Sequence, residues 1–307
     1  MAQAWFETLL RYDGLDAMRA ANHVMQQAAE KTPRSAKITV LRDLEYIPGG
    51  HERQKLDLYL PNESHATDGL RRLRPLVLWV HGGAWRAGSK ERCPAQFLLQ
   101  EGYAVASINY RLSQHAVFPA QIEDCKAAIR WLREHAADHG LDASHFGVWG
   151  SSAGGHLAAL VGTTGSIKEF DVGRNTSVSS RVQAACDFFG PTDFAKMTNF
   201  PSRMNHDAPD SPESRLIGGP IQDNKAKTRR ANPIAYVTRD APPFLIVHGD
   251  QDPLVPHNQS DILYKALRDI GVEVTFYTIR GGGHGGFRNA TVHPLVTKFF
   301  NKHLKQE

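Results

Sequence analysis

Eight apolar stretches of strand length punctuate the chain, near residues 38–47, 56–60, 76–80, 105–109, 146–149, 184–189, 245–248 and 272–279. Leu76-Val77-Leu78-Trp79-Val80 and Phe244-Leu245-Ile246-Val247 are apolar without a break, the pattern of strands covered on both faces. The run from Val272 to Ile279 alternates instead. Helical periodicity fills most of the gaps, as at 122–135. The pattern predicts an α/β architecture, with a mostly parallel central sheet of about eight strands and helices on both faces. Only a Pro48-Gly49-Gly50 turn parts the first two runs, which predicts an antiparallel edge pair.

Two segments stand apart. In residues 1–37, Trp5, Phe6, Leu9, Leu10, Leu15, Met18 and Met25 recur at helical spacing among polar residues. They predict an N-terminal helical extension that packs as a cap over the active-site mouth or onto the sheet edge. Residues 38–307 then form one large catalytic domain, a size at which α/β chains still build a single core. Within it, the polar, proline-containing stretch 194–240 reads as an insertion over the pocket.

Composition narrows the function by exclusion. The 36 basic and 32 acidic residues give a net charge of +4 and are spread along the chain, so no electrostatic footprint for nucleic acid emerges. Arg71-Arg72-Leu73-Arg74 is the one dense basic run and reads as a solvated loop. Cys93, Cys125 and Cys186 show no metal spacing and no disulfide framework, and the histidines are scattered, so neither a metal nor another cofactor is expected. No stretch is long and apolar enough to span a membrane, and no apolar core follows a basic start as in a secretory signal. A cytoplasmic chain is expected, or a secreted or periplasmic one if a leader has been removed.

The chemistry concentrates in four loops. Phe146-Gly147-Val148-Trp149 runs apolar into Gly150-Ser151-Ser152-Ala153-Gly154, and a helical stretch follows. A serine at the apex of a strand-turn-helix needs small neighbours at both flanks, which Ser152 has and Ser151 lacks. A serine hydroxyl also needs a base, an acid to orient that base, and donors for an oxyanion. After the apolar run at 244–247 comes His248-Gly249-Asp250-Gln251-Asp252-Pro253, where two acids compete. Asp252 is preferred because Pro253 biases it into an extended turn, and Asp250 is left to bond the loop backbone. His284 lies in Gly281-Gly282-Gly283-His284-Gly285-Gly286 after the last strand, where glycines let an imidazole approach another loop. His248 reads as a packed or loop-bonding residue, and His156 as lining the first turn after Ser152. The strand at 76–80 opens into His81-Gly82-Gly83-Ala84-Trp85, whose small residues suit backbone donors. Gly83, Ala84 and Ala153 are the expected oxyanion donors, with Gly82 as a further candidate.

Taken together, the His81–Trp85 loop, the glycine-serine turn, the 248–256 segment and Gly283-His284-Gly285 resemble an α/β-hydrolase of the lipase/esterase group. The chain is most similar to the bifunctional feruloyl and acetyl xylan esterase-like family over about residues 38–305, with support from Asn109-Tyr110-Arg111-Leu112, Phe118-Pro119-Ala120-Gln121 and Ala231-Asn232-Pro233. Hormone-sensitive-lipase-like esterases are less similar, since Ser151 and Ala84 stand where those carry an acid and a third glycine. The resemblance implies an α/β-hydrolase fold, a Ser152–Asp252–His284 triad, and hydrolysis of short-chain, acetyl-like esters through an acyl-enzyme. It also implies a small-molecule or oligosaccharide ester substrate drawn from decorated plant-cell-wall sugars. Trp85 is expected either to stack on a sugar or aromatic leaving group or to be buried in support of the 81–85 loop, and Leu216 and Ile217, with Met197 and Phe200, either to line the pocket or to form the insertion's own small core. The same triad would serve an amidase or small-peptide hydrolase. A non-catalytic binding protein on this fold would be expected to lack a triad member, and all three are present.

Overall fold

A computed structural model describes residues 38–61 and 73–305. The extension proposed at 1–37 and the Arg71-Arg72 pair lie outside them. Eight strands form one sheet: β1 (Ile38–Glu45), β2 (Lys55–Pro61), β3 (Arg74–Val80), β4 (Ala104–Ile108), β5 (Leu141–Ser151), β6 (Ala184–Phe188), β7 (Phe244–Gly249) and β8 (Val274–Ile279). Their spatial order is β1-β2-β4-β3-β5-β6-β7-β8. β2 runs antiparallel to β1 and β4, and every other pairing is parallel. All eight predicted strands are present, and the edge pair is antiparallel as the short turn required.

Strand alternation sorts the side chains into two cores. Leu76, Leu78 and Val80 enter one, and Val77 and Trp79 the other. Ile246 faces the first, while Leu245 and Val247 face the second. Three long helices cover the first face: α1 (Ala120–Glu134), α3 (Ala153–Thr163) and α6 (Asn258–Asp269). They contribute Ile122, Ile129, Leu157, Leu160, Leu263 and Leu267. The 3-10 helix Pro94–Glu101 and α7 (Asn289–Leu304) cover the second face with Leu98, Val296 and Phe300. Short α2 (Ala136–His139) leads into β5. Each fully buried Leu, Ile or Phe contributes roughly 1.5–3 kcal/mol, so both faces are held by burial rather than by surface pairing.

Strand order places the chemistry. From β3 the chain steps to β4 on one side, and from β5 it proceeds to β6, β7 and β8 on the other. The carboxyl ends of β3 and β5 therefore flank a topological switch point, where open α/β sheets leave a crevice. The 194–240 segment carries α4 (Pro212–Ile217) and α5 (Lys225–Ala231) with flanking 3-10 turns, and sends Phe194, Met197, Leu216 and Ile217 into the first core. Its 202–206 stretch is tied to the loop after β7: Arg203 N–H donates to Pro253 O at 2.8 Å and Ser202 Oγ to Leu254 O at 3.0 Å. Among the described residues, no helix is long and apolar enough to cross a membrane.

Candidate active site

Ser152 sits at the junction of β5 and α3 with φ +56° and ψ −123°, a conformation that costs a non-glycine residue on the order of 1–3 kcal/mol. Close packing enforces it. A Cβ on Gly154 would collide with the carbonyl oxygens of Val80 and His81, and one on Gly150 with the carbonyl of Gly154. The two flanking glycines thus let α3 press against the end of β3, and the serine is left at the apex.

The structure brings Ser152, His284 and Asp252 into one hydrogen-bonded line. His284 Nε2 lies 2.9 Å from Ser152 Oγ, and His284 Nδ1 lies 2.7 Å from Asp252 Oδ2. A carboxylate accepts, so Nδ1 carries the proton and Nε2 offers its lone pair to the serine hydroxyl. The other carboxylate oxygen, Oδ1, accepts from the N–H groups of Leu254 (2.8 Å) and Val255 (3.0 Å). Burial works against the charge of Asp252, yet the hydrogen bonds from His248 and His284 outweigh it and hold the carboxyl well below the usual carboxylate range. Asp250 is turned away from this line and accepts from Gly281 N–H at 2.7 Å, the backbone role assigned to the competing acid.

The loop after β3 lies against the nucleophile: a Cβ on Gly82 would come 2.8 Å from Ser151 O and 3.3 Å from Ser152 Cβ. Its conformation is set from behind. Arg53 Nη2 donates to His81 Nε2 at 3.1 Å, so His81 Nδ1–H donates to Gly82 O at 2.7 Å. Burial lowers the His81 pKa to about 4 and keeps the ring neutral. In a trans peptide the C=O and the following N–H point in opposite directions. Anchoring Gly82 O therefore turns Gly83 N–H to the opposite side. Tyr110 Oη donates to His81 O at 2.9 Å and its ring stacks on the imidazole. Among the described residues, the N–H groups of Gly83, Ala84 and Ala153 are bonded to no protein acceptor.

Three residues expected to line the pocket are placed elsewhere. Trp85 is 2% exposed, Leu216 0% and Ile217 2%. Trp85 Nε1–H donates to His156 Nδ1 at 3.2 Å, and His156 Nε2–H to Ala231 O at 2.7 Å. The indole thus braces the 81–85 loop against α3 and α5. Leu216 and Ile217 belong to the core, because the apolar side of α4 is what joins the insertion to the sheet. Met197 is also fully buried, whereas Phe200 is 47% exposed. Phe200 lines a cleft of about 720 Å³ along the acid loop, with Arg203, Asp250, Gln251, Pro256 and Asn258.

His248 is the packed, loop-bonding residue that the sequence suggested, and one further buried group, Asp187, was missed by sequence reasoning. His248, at the end of β7, has Nε2 3.1 Å from Asp252 Oδ2. Asp187, in β6, has a carboxyl lying against Gly155 and Gly190, beneath the turn that carries Ser152. Its Oδ1 accepts from Gly190 N–H at 2.9 Å, and its Oδ2 is buried without a partner. Burial pushes its pKa up to about 7. Asp187 lies in no motif of glycines and at no spacing that marks it.

As for metals, the one grouping of potential ligands among the described residues is His51, Glu52 and His115. Both imidazoles accept a backbone N–H at Nδ1, from Arg53 and from Leu112. The neutral tautomer so selected keeps its proton on Nε2, the atom that would have to face a cation. Cys93, Cys125 and Cys186 are free thiols, and burial pushes Cys93 up to about 12.

The BD-FAE family model matches residues 56–267. Esterase LipQ of Mycobacterium tuberculosis is 35% identical over 248 residues, 80% of this chain and 56% of its own length. The chain spans about half the length of the curated relatives it matches. A solved structure described as a truncated form of a carbohydrate esterase from gut microbiota superposes with a TM-score of 0.79 at 35% identity, covering 89% of this chain and 99% of that one. A bifunctional GH43-CE of Bacteroides eggerthii gives 0.76 at 38% identity, covering 86% and 38%.

Proposed function

Since the chain belongs to the BD-FAE family, we propose that it is a serine carboxylic-ester hydrolase that works through an acyl-enzyme. The observation that carries this reading is the line Ser152–His284–Asp252 closed at 2.9 and 2.7 Å on a serine held at φ +56°. Ser152 Oγ attacks the ester carbonyl while His284 Nε2 takes its proton. The oxyanion that forms is met by the N–H groups of Gly83, Ala84 and Ala153, which no acceptor among the described residues occupies. His284 returns the proton to the departing alkoxide, and the acyl group remains on Ser152. Water, deprotonated by the same nitrogen, then releases the acid. Asp252 stays ionised throughout, keeps the imidazole in the tautomer that faces the serine, and stabilises the imidazolium.

The acyl group is short and acetyl-like, and the alcohol is a sugar of an acetylated or feruloylated hemicellulose. The kinship with a carbohydrate esterase and a bifunctional GH43-CE supports this. A cleft beside Asp252, lined by neither Ser152 nor His284, carries the exposed Phe200 ring next to guanidinium, carboxyl and amide groups, where a sugar extending from the site would lie. Ring faces with planar hydrogen-bonding groups suit vicinal hydroxyls.

The test is steady-state hydrolysis of p-nitrophenyl acetate, butyrate and octanoate by wild type and Ser152→Ala, with intact-mass detection of a fluorophosphonate adduct. Wild type is expected to be labelled and to prefer acetate, and the variant to lose on the order of 10⁴-fold or more. Unchanged activity in the variant, or no adduct, would overturn the esterase reading. Faster cleavage of a matched anilide would make the protein an amidase. Failure to release acetate from acetylated xylan would remove the polysaccharide alone.

A further inference from the structure

We propose that His248 is a positioning residue: it shares Asp252 Oδ2 with His284 and thereby sets how strongly the acid holds the catalytic imidazole. The inference rests on the esterase reading. His248 is fully buried at the carboxyl end of β7. Its Nε2 faces two acceptors, Asp252 Oδ2 at 3.1 Å and Val255 O at 3.0 Å, so this nitrogen carries a proton and donates to both. Its Nδ1 lies 2.8 Å from Ser260 Oγ, in the first turn of α6. Both ends of the ring are thereby held, one by the acid loop and one by a helix.

The consequence follows from counting donors on one carboxylate. Oδ1 takes two backbone N–H groups, and Oδ2 takes two imidazole N–H groups. Four donors fill the lone-pair sites of an ionised carboxylate. Charge density at Oδ2 is divided between His284 at 2.7 Å and His248 at 3.1 Å. Removing the His248 donor leaves the whole of Oδ2 to His284, which strengthens the pair in its imidazolium form. The carboxylate also loses one of the contacts that fix its plane. The other ionisable groups around the pair are Asp250 on the same loop, and His257 and Asp261 at the start of α6. The His257 ring centre lies 5.3 Å from that of His248. None of these makes a hydrogen bond to Asp252 among the described residues, and all remain in the variants below.

Two amide substitutions separate positioning from space filling. In His248→Gln the amide nitrogen can reach the place of Nε2 and keep the donor. In His248→Asn it reaches only the place of Nδ1, beside Ser260. The readout is the titration of His284 by NMR in protein labelled with ¹⁵N-histidine, together with the pH profile of kcat/KM on p-nitrophenyl acetate. We expect wild type and His248→Gln to share one midpoint. His248→Asn should move the His284 midpoint and the acid limb of kcat/KM upward together, by about half a pH unit or more. Its plateau kcat should fall by on the order of 10- to 100-fold, with KM little changed. Should His248→Asn fail to fold, Ser260→Ala frees the far end of the ring and should shift the midpoint in the same direction by less. An identical His284 titration in all variants would overturn the proposal and leave His248 as core filling. Absence of turnover in wild type would overturn the esterase reading instead, while the NMR titration still decides the positioning.

Discussion

Replacing Asp187 by asparagine should make the protein more stable at neutral and alkaline pH, although it removes a buried charged-group position one strand away from the nucleophile. Asp187 is fully buried; Gly190 N–H binds one of its oxygens and nothing among the described residues binds the other. Burial raises its pKa from the ordinary 3.8 to about 7. A carboxyl raised in the folded state holds its proton while the unfolded chain has released one. Stability contributed by this site is therefore highest below pH 3.8, falls as pH rises toward about 7, and is level above that. The difference corresponds to about 4 kcal/mol. Asparagine keeps the acceptor for Gly190 and does not titrate, at the cost of an amide N–H where Oδ2 has no partner, about 1–3 kcal/mol. The protonated acid carries a similar unpaired O–H, so the two side chains are close to equivalent in acid. Urea unfolding of both proteins at several pH values between 4.5 and 8.5 gives the difference, in which every other titrating group cancels. We expect Asp187→Asn to gain on wild type steadily as pH rises, reaching on the order of 2–4 kcal/mol by pH 8. A difference independent of pH, or one that favours wild type more as pH rises, would refute the reasoning.

Three further outcomes follow from particular contacts. Asp252→Asn should lower kcat/KM on p-nitrophenyl acetate by about 10³–10⁴-fold, because an amide can no longer select the Nδ1–H tautomer of His284; Asp250→Asn should stay within about tenfold, since that residue bonds Gly281 N–H. Trp85→Phe should destabilise by about 1–3 kcal/mol in denaturant melts by leaving His156 Nδ1 without its donor, and a changed acyl-length preference would contradict its place behind the loop. The buried His206–Glu213 pair, 3.2 Å apart, pins the insertion to Leu254 O. Burial opposes the charge on His206, but Glu213 outweighs it and raises the pKa above 6.5. The pair therefore contributes fully below pH 6.5 and its contribution is lost as pH rises through the elevated value. Limited proteolysis within 194–240 should be slower at pH 6 than at pH 8.5, and Glu213→Gln should flatten that dependence.

What could be read in the sequence was whatever local geometry enforces. Continuous apolar runs announce strands that are covered twice, so the eight strands and the antiparallel edge were legible. The turn at Ser152 was legible because collision with Val80 O and His81 O leaves no alternative to glycine at 154, and that constraint lies within a few residues of the serine. Asp252 could be told from Asp250 through Pro253 for the same reason. Which way a side chain faces once a loop closes is a different matter. Trp85 follows the glycines of the 81–85 loop whether it points to the substrate or to His156, a partner 71 residues away. Leu216 and Ile217 read as an apolar pair in a polar insertion, and only tertiary packing decides that the pair meets the core.

The groups that escaped notice share a physical character: their significance comes from a partner on another element. Arg53 governs Gly82 through His81, His248, legible only as a packed or loop-bonding residue, meets Asp252 across a four-residue turn, and Asp187 lies beneath α3, which starts 34 residues earlier in the chain. His248 and Asp187 place polar groups in the interior, and Arg53 one that is half-buried, where an unmet hydrogen bond is expensive. Stability alone would favour apolar replacements at such positions. Arg53 fixes a peptide orientation and His248 loads one oxygen of the acid, so both convert folding free energy into the alignment of groups that must act together. Asp187 differs, for no group among the described residues is bonded to its second oxygen. That is why asparagine is expected to improve stability at Asp187, whereas at His248 only a substitution that restores the donor should leave the His284 titration unchanged.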